Sequence, residues 1–449
     1  MMTDEQRQHA VAAIQQALPA LEWTLQPAKI KRLSRDFHWF SPLLTEQLAG
    51  KQADAVVRPR DEEELRQLVP LEGGLLVDMT GLNQIVALGN GTVRAQAGIR
   101  LADIETAARQ TGWELRCMPS TYRLASLGGL YGGGFGGIGS INYGPLAAPG
   151  NVLSVKVMTV EPVPRVLTVP APEALLLHHA YGTNGIILEV ELALAPAHQW
   201  IERLDVFDDF ADALNYANAC VRSPGLVKRQ VALLATPIAD YFSHLKDRYR
   251  AGQHAVISLI AEESEGLCAS LLPRHRGSNA IRQASEEART RNGSLMEYCW
   301  NHTTLHALKV DNTLTYLQTA FDPLRYPQQI LQMEQHFAGE VMSHIEFLRD
   351  IEGNLTASGL QLVRYTTPER LNAIMQIFRD NDVKINNPHV LQVEDGKQGV
   401  IRPDVVAVKQ SLDPAGLLNP GKLRGWALRD QLELDSNPLT RATRESPTT

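Results

Sequence analysis

The chain has few cysteines, no lysine-rich block and no long apolar run. Its four cysteines, at positions 117, 220, 268 and 299, lie far apart and form no C-x-x-C pair, which argues against an iron–sulfur cluster or a cysteine-rich zinc site. No apolar run reaches the ~18 residues that a membrane-spanning helix needs. The N-terminus is acidic and polar, whereas a signal peptide starts basic and becomes apolar. We therefore expect reduced thiols, no transmembrane segment and a cytoplasmic protein.

The charge of the chain narrows the class of its partners. The formal net charge is −7 over 449 residues, whereas nucleic-acid binding requires a basic face. We therefore expect a small-molecule substrate and no nucleic-acid partner. The length suits two or three domains, and the 44% of hydrophobic residues can fill sizeable cores. These features do not fix the oligomeric state, and a homodimer stays open.

Glycine is concentrated in one stretch, where eight of the twelve residues from 128 to 139 are glycine. Glycine tolerates positive φ and lets a ligand approach the main chain closely, so the stretch predicts contact with a bulky cofactor. A tightly packed structural loop is the alternative. A solvated linker is disfavoured, because Leu130, Tyr131 and Ile138 lie within the run.

Residue patterns around this stretch alternate between strand and helix. Strands are predicted at 53–59, 75–79, 84–88, 92–98, 152–160, 165–169 and 185–196, and helices at 4–18, 62–69, 101–112, 344–353, 368–383 and 403–414. We divide the chain into an N-terminal helical segment (1–52), a domain with the glycine stretch (53–196), a second domain (197–404), a segment returning to the first domain (405–426) and a mobile tail (427–449).

Four segments carry a family resemblance. They are residues 53–69, ADAVVRPRDEEELRQLV; 75–112, from LLVDMTGLNQI to TVRAQAGIRLADIETAARQTG; 119–196, with PSTYRLASLGGLYGGGFGGIGSINYG and YGTNGIILEVELALAP; and 408–423, VKQSLDPAGLLNPGKL. In this order they resemble FAD-binding oxidoreductases of the vanillyl-alcohol oxidase or PCMH type, near the FAD-linked subunits of glycolate oxidase and D-lactate dehydrogenase. The resemblance implies an α+β fold, with a two-lobed PCMH-type FAD-binding domain and a separate α+β substrate domain, or cap, over the flavin ring.

The resemblance also implies a set of FAD contacts. Near the pyrophosphate and the flavin it places Pro119, Ser120, Gly128, Gly129, Gly133, Gly134, Gly136, Gly137, Ile138, Gly139 and Ser140. Gly185, Ile186 and Ile187 would lie along the adenine and ribose, and Asn419 near the flavin ring. For Asn419, turn formation in LNPG is the alternative.

One expected piece of the family pattern is absent. Between Val69 and Leu75 the relatives have a further strand and a glycine-rich pyrophosphate loop, where this sequence has only PLEGG. Either the loop is deleted, or the printed sequence omits a mobile segment. We favour the second, because a helix running straight into Pro70 would leave a parallel sheet without its neighbouring strand. That loop often bears the covalent flavin histidine in relatives, so we predict noncovalent FAD.

Oxidation of an alcohol by flavin needs a base for the hydroxyl proton, and a cation suits a substrate carboxylate. By resemblance His389 is the first candidate for a base or substrate ligand, followed by His302, His306 and His344; Arg364 and Lys309 could hold a carboxylate. A structural role is the alternative for each. His302 and His306 could also bind a metal, but i, i+4 histidines match such sites too often by chance, so we assign none.

The function implied by the resemblance is oxidation of a small alcohol, namely a 2-hydroxy acid, by hydride transfer to FAD, with an unspecified electron acceptor. Two alternatives remain open. One is oxidation of a sugar or aromatic alcohol, and the other is a noncatalytic flavin-binding subunit of a larger complex.

Overall fold

The computed structural model describes residues 3–35, 40–69, 74–134, 136–291, 293–388, 390–397 and 399–444. In these ranges the chain forms three β-sheets with helices packed on them. The first lobe holds a sheet of order β1-β2-β3. Its elements are α1 (Asp4–Ala17), β1 (Glu22–Thr24), α2 (Pro27–Leu33), α3 (Pro42–Gln47), β2 (Ala55–Arg58), α4 (Glu62–Leu68) and β3 (Leu75–Val77).

Strand β3 pairs directly with β2 in parallel, with Ala55 opposite Leu75 and Val57 opposite Val77. Helix α4 connects them, and its N-terminus is capped by the Asp61 carboxylate, which accepts from the Glu64 N–H. The parallel neighbour of β2 is therefore present, and our reason for favouring an omitted segment fails on this point. Residues 70–73 lie outside the described ranges. Strand β1 also pairs with β2, so this sheet crosses the boundary that we predicted at residue 53.

The second lobe contains the glycine stretch. Its sheet has the order β8-β7-β9-β5-β4, and β6 pairs with the end of β9. Its elements are β4 (Ile85–Gly89), β5 (Thr92–Gln96), α5 (Leu101–Gln110), β6 (Trp113–Leu115), α6 (Leu127–Gly133), α7 (Ser140–Tyr143), β7 (Val152–Met158), β8 (Val166–Pro170) and β9 (Ile186–Pro196).

The cap is built on an antiparallel sheet of order β13-β10-β12-β11-β16-β17-β14-β18, with β15 paired to β17. Helices cover one face, and the other face packs toward the second lobe. The elements are β10 (Trp200–Phe207), α8 (Phe210–Arg222), β11 (Lys228–Leu234), β12 (His254–Ala261), α9 (Glu265–Leu271), β13 (Ser278–Ala284), α10 (Ser285–Thr290), α11 (Asn301–Val310), β14 (Leu314–Ala320), α12 (Tyr326–Phe337), β15 (Val341–Met342), β16 (His344–Arg349), β17 (Leu355–Arg364), α13 (Pro368–Asp380) and β18 (Lys384–Asn386).

The helix that we predicted at 344–353 is wrong, because this segment contains strand β16. Both of its faces are covered: Ile345 and Phe347 pack under the helices of the cap, while His344 and Glu346 face the polar interior. A strand buried on both sides has no clean alternation of apolar and polar residues, and its short run resembles a buried helix.

The C-terminal segment returns to the second lobe through α14 (Pro403–Leu412), α15 (Arg424–Ala427) and β19 (Thr443–Arg444). Strand β19 pairs with β8, Leu439 is buried, and the Arg441 N–H donates to the Glu173 carboxylate at 2.9 Å. Residues 427–444 are thus held against the lobe, unlike the mobile tail that composition predicted. Among the helices described, none combines the length and apolar character needed to cross a membrane.

Candidate functional site

Helix α6 presents one face without side chains. Leu127, Leu130 and Tyr131 are buried against the second lobe, whereas Gly129 and Gly132 point away from it. A Cβ added at Gly132 would meet no atom within 4 Å, and one at Gly129 would meet only Ser126 Oγ at 3.0 Å. The helix therefore offers an open strip of bare backbone, a surface that a flat or bulky ligand can approach closely.

Other glycines of the stretch are needed for packing. A Cβ at Gly128 would lie 2.8 Å from Ala97 Cβ, and Cβ atoms at Gly137 and Gly139 would overlap the backbone carbonyls of residues 118 and 116. At Gly134, which has φ +68°, a side chain would overlap the His179 ring. Ligand contact and tight packing, the two alternatives from the sequence, thus apply to different glycines of one stretch.

The backbone donors beside these glycines are already engaged. The Gly137 N–H donates to Ser140 Oγ at 2.8 Å, the Ile138 N–H to the Met118 carbonyl at 2.8 Å and the Gly139 N–H to the Arg229 carbonyl at 2.8 Å. The first turn of α6 is likewise satisfied, since the Gly128 N–H donates to the Ala97 carbonyl at 2.7 Å. At these positions the stretch supplies a contact surface and not free donors for a pyrophosphate.

The wall facing the stretch comes from the start of α11. Trp300 lies so close that its ring is 3.3 Å from a Cβ built at Gly136. Its indole N–H donates to Gln230 Oε1 at 3.0 Å, and its backbone N–H to Glu346 Oε1 at 2.6 Å. In the first turn of α11, the His302 N–H donates to Ser120 Oγ at 3.4 Å. Cap and second lobe therefore meet at the glycine stretch.

Strained backbone gathers in the same region. His179, Tyr181, Trp300 and Asn419 all have positive φ, between +43° and +56°, a conformation that costs energy for residues other than glycine. The Asn419 amide donates to the carbonyls of Tyr181 and Gly182 at 2.9 and 3.0 Å. Asn419 thus has a structural role in the turn, and that role places it beside the predicted flavin region.

A buried lysine joins the C-terminal segment to the start of β9. The Lys409 ammonium donates to Asp413 Oδ2 at 2.7 Å and to the Thr183 carbonyl at 2.9 Å. Burial lowers the pKa of Lys409, while Asp413 acts in the opposite direction. Nearby Gly185, with φ +70°, packs against Val157 and leaves no room for a side chain. The other two residues of the predicted adenine end, Ile186 and Ile187, are half-buried.

The predicted catalytic histidines occupy different environments. His302 is close to the glycine stretch; its Nδ1 is buried without a partner, and burial lowers its pKa. His306 stacks on Tyr298 with ring centroids 4.5 Å apart. His344 is fully buried, and its Nε2 lies 2.8 Å from Glu346 Oε1. His389 lies outside the described residues. Of the three that the structure describes, His302 and His344 each have a buried Nδ1 without a partner, and of these two His302 also contacts Ser120, next to the glycine stretch.

Arg364 is already engaged. Its guanidinium pairs with Asp311 Oδ2 at 3.0 Å and donates to the Tyr241 hydroxyl at 3.3 Å. Lys309 lies near enough to His302 and His306 for its charge to contribute to lowering the pKa of both. Lys309 is therefore better placed than Arg364 to meet an anion near His302. Within the described ranges, no group of three or more His, Cys, Asp or Glu residues could hold a metal ion.

His306 makes stability depend on pH. Burial, aided by Lys309, lowers its pKa to about 4, whereas an unfolded histidine titrates near 6.5. The unfolded state therefore binds more protons between these values, so we expect stability to fall as the pH drops from about 6.5 to about 4, by up to about 3 kcal/mol. In His306→Phe, urea titrations across this range should show a correspondingly smaller decline. Equal declines in both proteins would contradict the assignment.

Sequence reasoning missed four residues of this region: His179, Tyr181, Trp300 and Glu346. His179 and Tyr181 precede the GTNG motif, and Trp300 precedes the candidate histidines His302 and His306. No local motif at these positions indicates a left-handed backbone. Glu346 was missed because its segment was predicted as a helix and not as strand β16. Without its carboxylate, the link between Trp300 and the cap sheet could not be found.

Comparison with known proteins agrees with this geometry. Residues 66–162 match the family model of the FAD binding domain. A structure of alkyldihydroxyacetonephosphate synthase in P1 superimposes with a TM-score of 0.61 at 15% identity, covering 94% of this chain and 86% of that one. A second structure of it, in P212121, gives 0.55 at 14% identity, with 83% and 78% covered. No curated protein matches in sequence.

These findings confirm the predicted resemblance and the α+β fold. The family match begins within α4 and ends just after β7, so it includes the whole glycine stretch. The structural likeness, at such low identity, concerns the fold. Residues 66–162, which include the whole glycine stretch, therefore match an FAD binding domain.

Proposed function

We propose that this protein is an FAD-dependent oxidoreductase that binds FAD noncovalently along the open face of α6 and oxidises a small alcohol, a 2-hydroxy acid, between the second lobe and the cap. The observation that carries the proposal is the bare strip at Gly129 and Gly132, in the same glycine stretch whose Gly136 lies against Trp300, two residues before His302 with its unpartnered ring nitrogen. When bound, FAD would supply the acceptor for the two electrons taken from the alcohol.

The residues present fit such a group. The open strip would contact it without steric conflict, and Trp300, anchored through Gln230 and Glu346, would close the site toward the cap and exclude water. The strained residues His179, Tyr181 and Asn419 would fix the edge of the site. Because the described N–H groups of the stretch are already engaged, we infer that phosphate oxygens would be held by other donors.

His302 is the proposed base. Its lowered pKa keeps the imidazole neutral near pH 7, and a neutral imidazole with a free nitrogen can accept the hydroxyl proton of a substrate. The charge of the exposed Lys309, seven residues after His302 on α11, would attract an anionic substrate to this region. On this ground we prefer a 2-hydroxy acid to an uncharged sugar or aromatic alcohol.

The experiment starts from the purified protein. Heat release should yield FAD in near-equimolar amount, and anaerobic mixing with a panel of 2-hydroxy acids, sugars and aromatic alcohols should bleach the flavin absorbance with the first class. Absence of flavin even after FAD supplementation would refute the proposal. Bleaching only by sugars or aromatic alcohols would refute the substrate class.

Replacing His302 with asparagine should slow anaerobic flavin reduction about a hundredfold, the lower range for losing a general base, while FAD content stays unchanged. His336→Asn, on the exposed side of α12, is the matched control and should reduce flavin at the wild-type rate. In the wild type the rate should fall only well below pH 6.5, because the pKa of His302 is lowered. A wild-type rate in His302→Asn would exclude His302 as the base.

A further inference from the structure

A polar cleft lies where the cap meets the second lobe, beside Gly139 at the end of the glycine stretch. Its volume is about 470 Å³, within the range of small-ligand sites. It is lined by Arg116 after β6, by Tyr143 of α7 and by Pro196 at the end of β9, and from the cap by Lys228 and Arg349. Strand β9 separates it from Gly185 by ten residues, roughly 33 Å. None of the residues of α6 lines it.

The cleft is strongly cationic in a chain that is acidic overall. Arg116, Lys228, Arg229 and Arg349 line it against one carboxylate, Glu114. That carboxylate is shared among several donors, because its Oε2 lies 2.6 Å from Arg109 Nη1, 2.8 Å from Trp200 Nε1 and 3.5 Å from Arg229 Nη1. The charge of the lining side chains is therefore not balanced within the cleft.

Three of these cations form no ion pair within the described part of the chain. Lys228 Nζ donates only to the Ser223 carbonyl at 2.8 Å, and Arg349 to the Gly353 carbonyl at 2.7 Å. Arg116 donates to the carbonyls of Leu194 and Gly150 and stacks on the Tyr143 ring. Burial lowers the pKa of Lys228, and the charge of Arg349 lowers it further. Holding these groups together without an anion is unfavourable.

A fourth cation adds an unused donor. Arg229 is 3% exposed, and its Nε is buried without a hydrogen-bond partner, although its terminal nitrogens bond to Glu105 and the Leu115 carbonyl. A buried N–H that is left unpaired costs free energy unless a ligand or water satisfies it. The cleft thus combines unpaired cations with an unmet donor.

We propose that this cleft binds a small phosphorylated metabolite. Cations that converge from separate elements suit a phosphate monoester, which carries nearly two charges and three acceptor oxygens, better than a single carboxylate. The remaining volume and the apolar side chains of Ile141, Leu226 and Leu355 would accommodate the organic part. Gly139 of the glycine stretch lines this cleft, but none of Gly129, Gly132, Trp300 and His302, on which the proposed oxidation depends, does.

The test is isothermal titration of inorganic phosphate into the purified protein, with its flavin content recorded, at pH 7.5 and constant ionic strength. Lys228→Met and Arg349→Met should each weaken phosphate binding about tenfold. Lys246→Met, an exposed lysine of the cap, should bind as the wild type does. Arg349 is exposed and bonds only to a loop carbonyl, so its variant keeps the test valid if Lys228→Met folds poorly.

Three results would overturn the proposal. The first is that the wild type does not bind phosphate at 10 mM, about tenfold above a ~1 mM Kd, which corresponds to roughly 4 kcal/mol. The second is that both cleft variants bind phosphate with the affinity of the wild type. The third is that malonate, a dicarboxylate of similar charge, binds as tightly as phosphate. Flavin content should be unchanged in all variants, which separates failure here from failure of the proposed oxidoreductase.

Discussion

Replacing Gly132 with leucine is expected to remove FAD from the protein. The added side chain would fill the open strip of α6, where a Cβ at present meets nothing within 4 Å. The added Cβ meets no protein atom, and leucine is a better helix former than glycine, so we expect the fold to be kept. A ligand seated on the strip would instead be displaced, weakening FAD binding by about a hundredfold or more. Fluorescence titration with FAD measures this.

The matched control for this change is Gly266→Leu. Gly266 also lies in a helix, α9, with ordinary φ and open space around its missing side chain, but it is on the outer side of the cap. Its variant should bind FAD as the wild type does, and Gly132→Ala should give an intermediate loss. Gly134 is unsuitable for this test, because any side chain there would overlap His179 whether or not a ligand binds. Retention of FAD in Gly132→Leu would refute the placement of the cofactor.

Replacing Arg229 with methionine should destabilise the junction of cap and second lobe by about 3–5 kcal/mol, the usual cost of removing one partner of a buried ion pair. Arg229 Nη1 lies 3.0 Å from Glu105 Oε1, with side-chain exposures of 3% and 1%. Its Nη2 donates to the Leu115 carbonyl at 2.8 Å. The substitution would leave a buried carboxylate without its cation and a buried carbonyl without its donor. Urea unfolding followed by tryptophan fluorescence measures the loss.

Arg370→Met provides the comparison at the surface. Arg370 pairs with Glu340 through two short hydrogen bonds but is 42% exposed, so its loss should destabilise the protein far less than the loss of Arg229. The double variant Glu105→Gln, Arg229→Met should be less destabilised than the sum of the single variants, because removing both charges leaves none buried alone. A cost for Arg229→Met no greater than that for Arg370→Met would contradict the role assigned to the pair.

Local patterns predicted the elements whose environment is simple. Helix α13 follows from Leu371, Ile374, Met375 and Phe378, which share one face and are all buried, and α4 follows from its acidic first turn and its Asp61 cap. Strand β16 could not be predicted, because both of its faces are covered by elements distant in sequence. The spacing of apolar and polar residues distinguishes a strand from a helix only where one face of the element meets water.

The site was predictable as a stretch but not residue by residue. The density of glycines marks residues 128–139. The sequence does not show that a side chain at Gly137 would overlap the carbonyl of residue 118, whereas one at Gly132 would enter open space. That distinction depends on segments that meet only in the folded chain. Likewise, the left-handed backbone of Trp300 accompanies a hydrogen bond to Glu346, 46 residues later, and no local motif encodes it.

The return of the C-terminal segment to the second lobe affects the order in which the two parts of the chain can fold during synthesis. The Val160 N–H donates to the Leu412 carbonyl at 2.6 Å, and Lys409 fills a buried position beside Thr183. These contacts cannot form until the ribosome has made the whole cap, more than 200 residues that separate Pro196 from Pro403. The cap, whose contacts lie within one continuous segment, can therefore fold first. Until translation is nearly finished, the nascent second lobe therefore lacks α14, and the surface on which α14 packs stays uncovered.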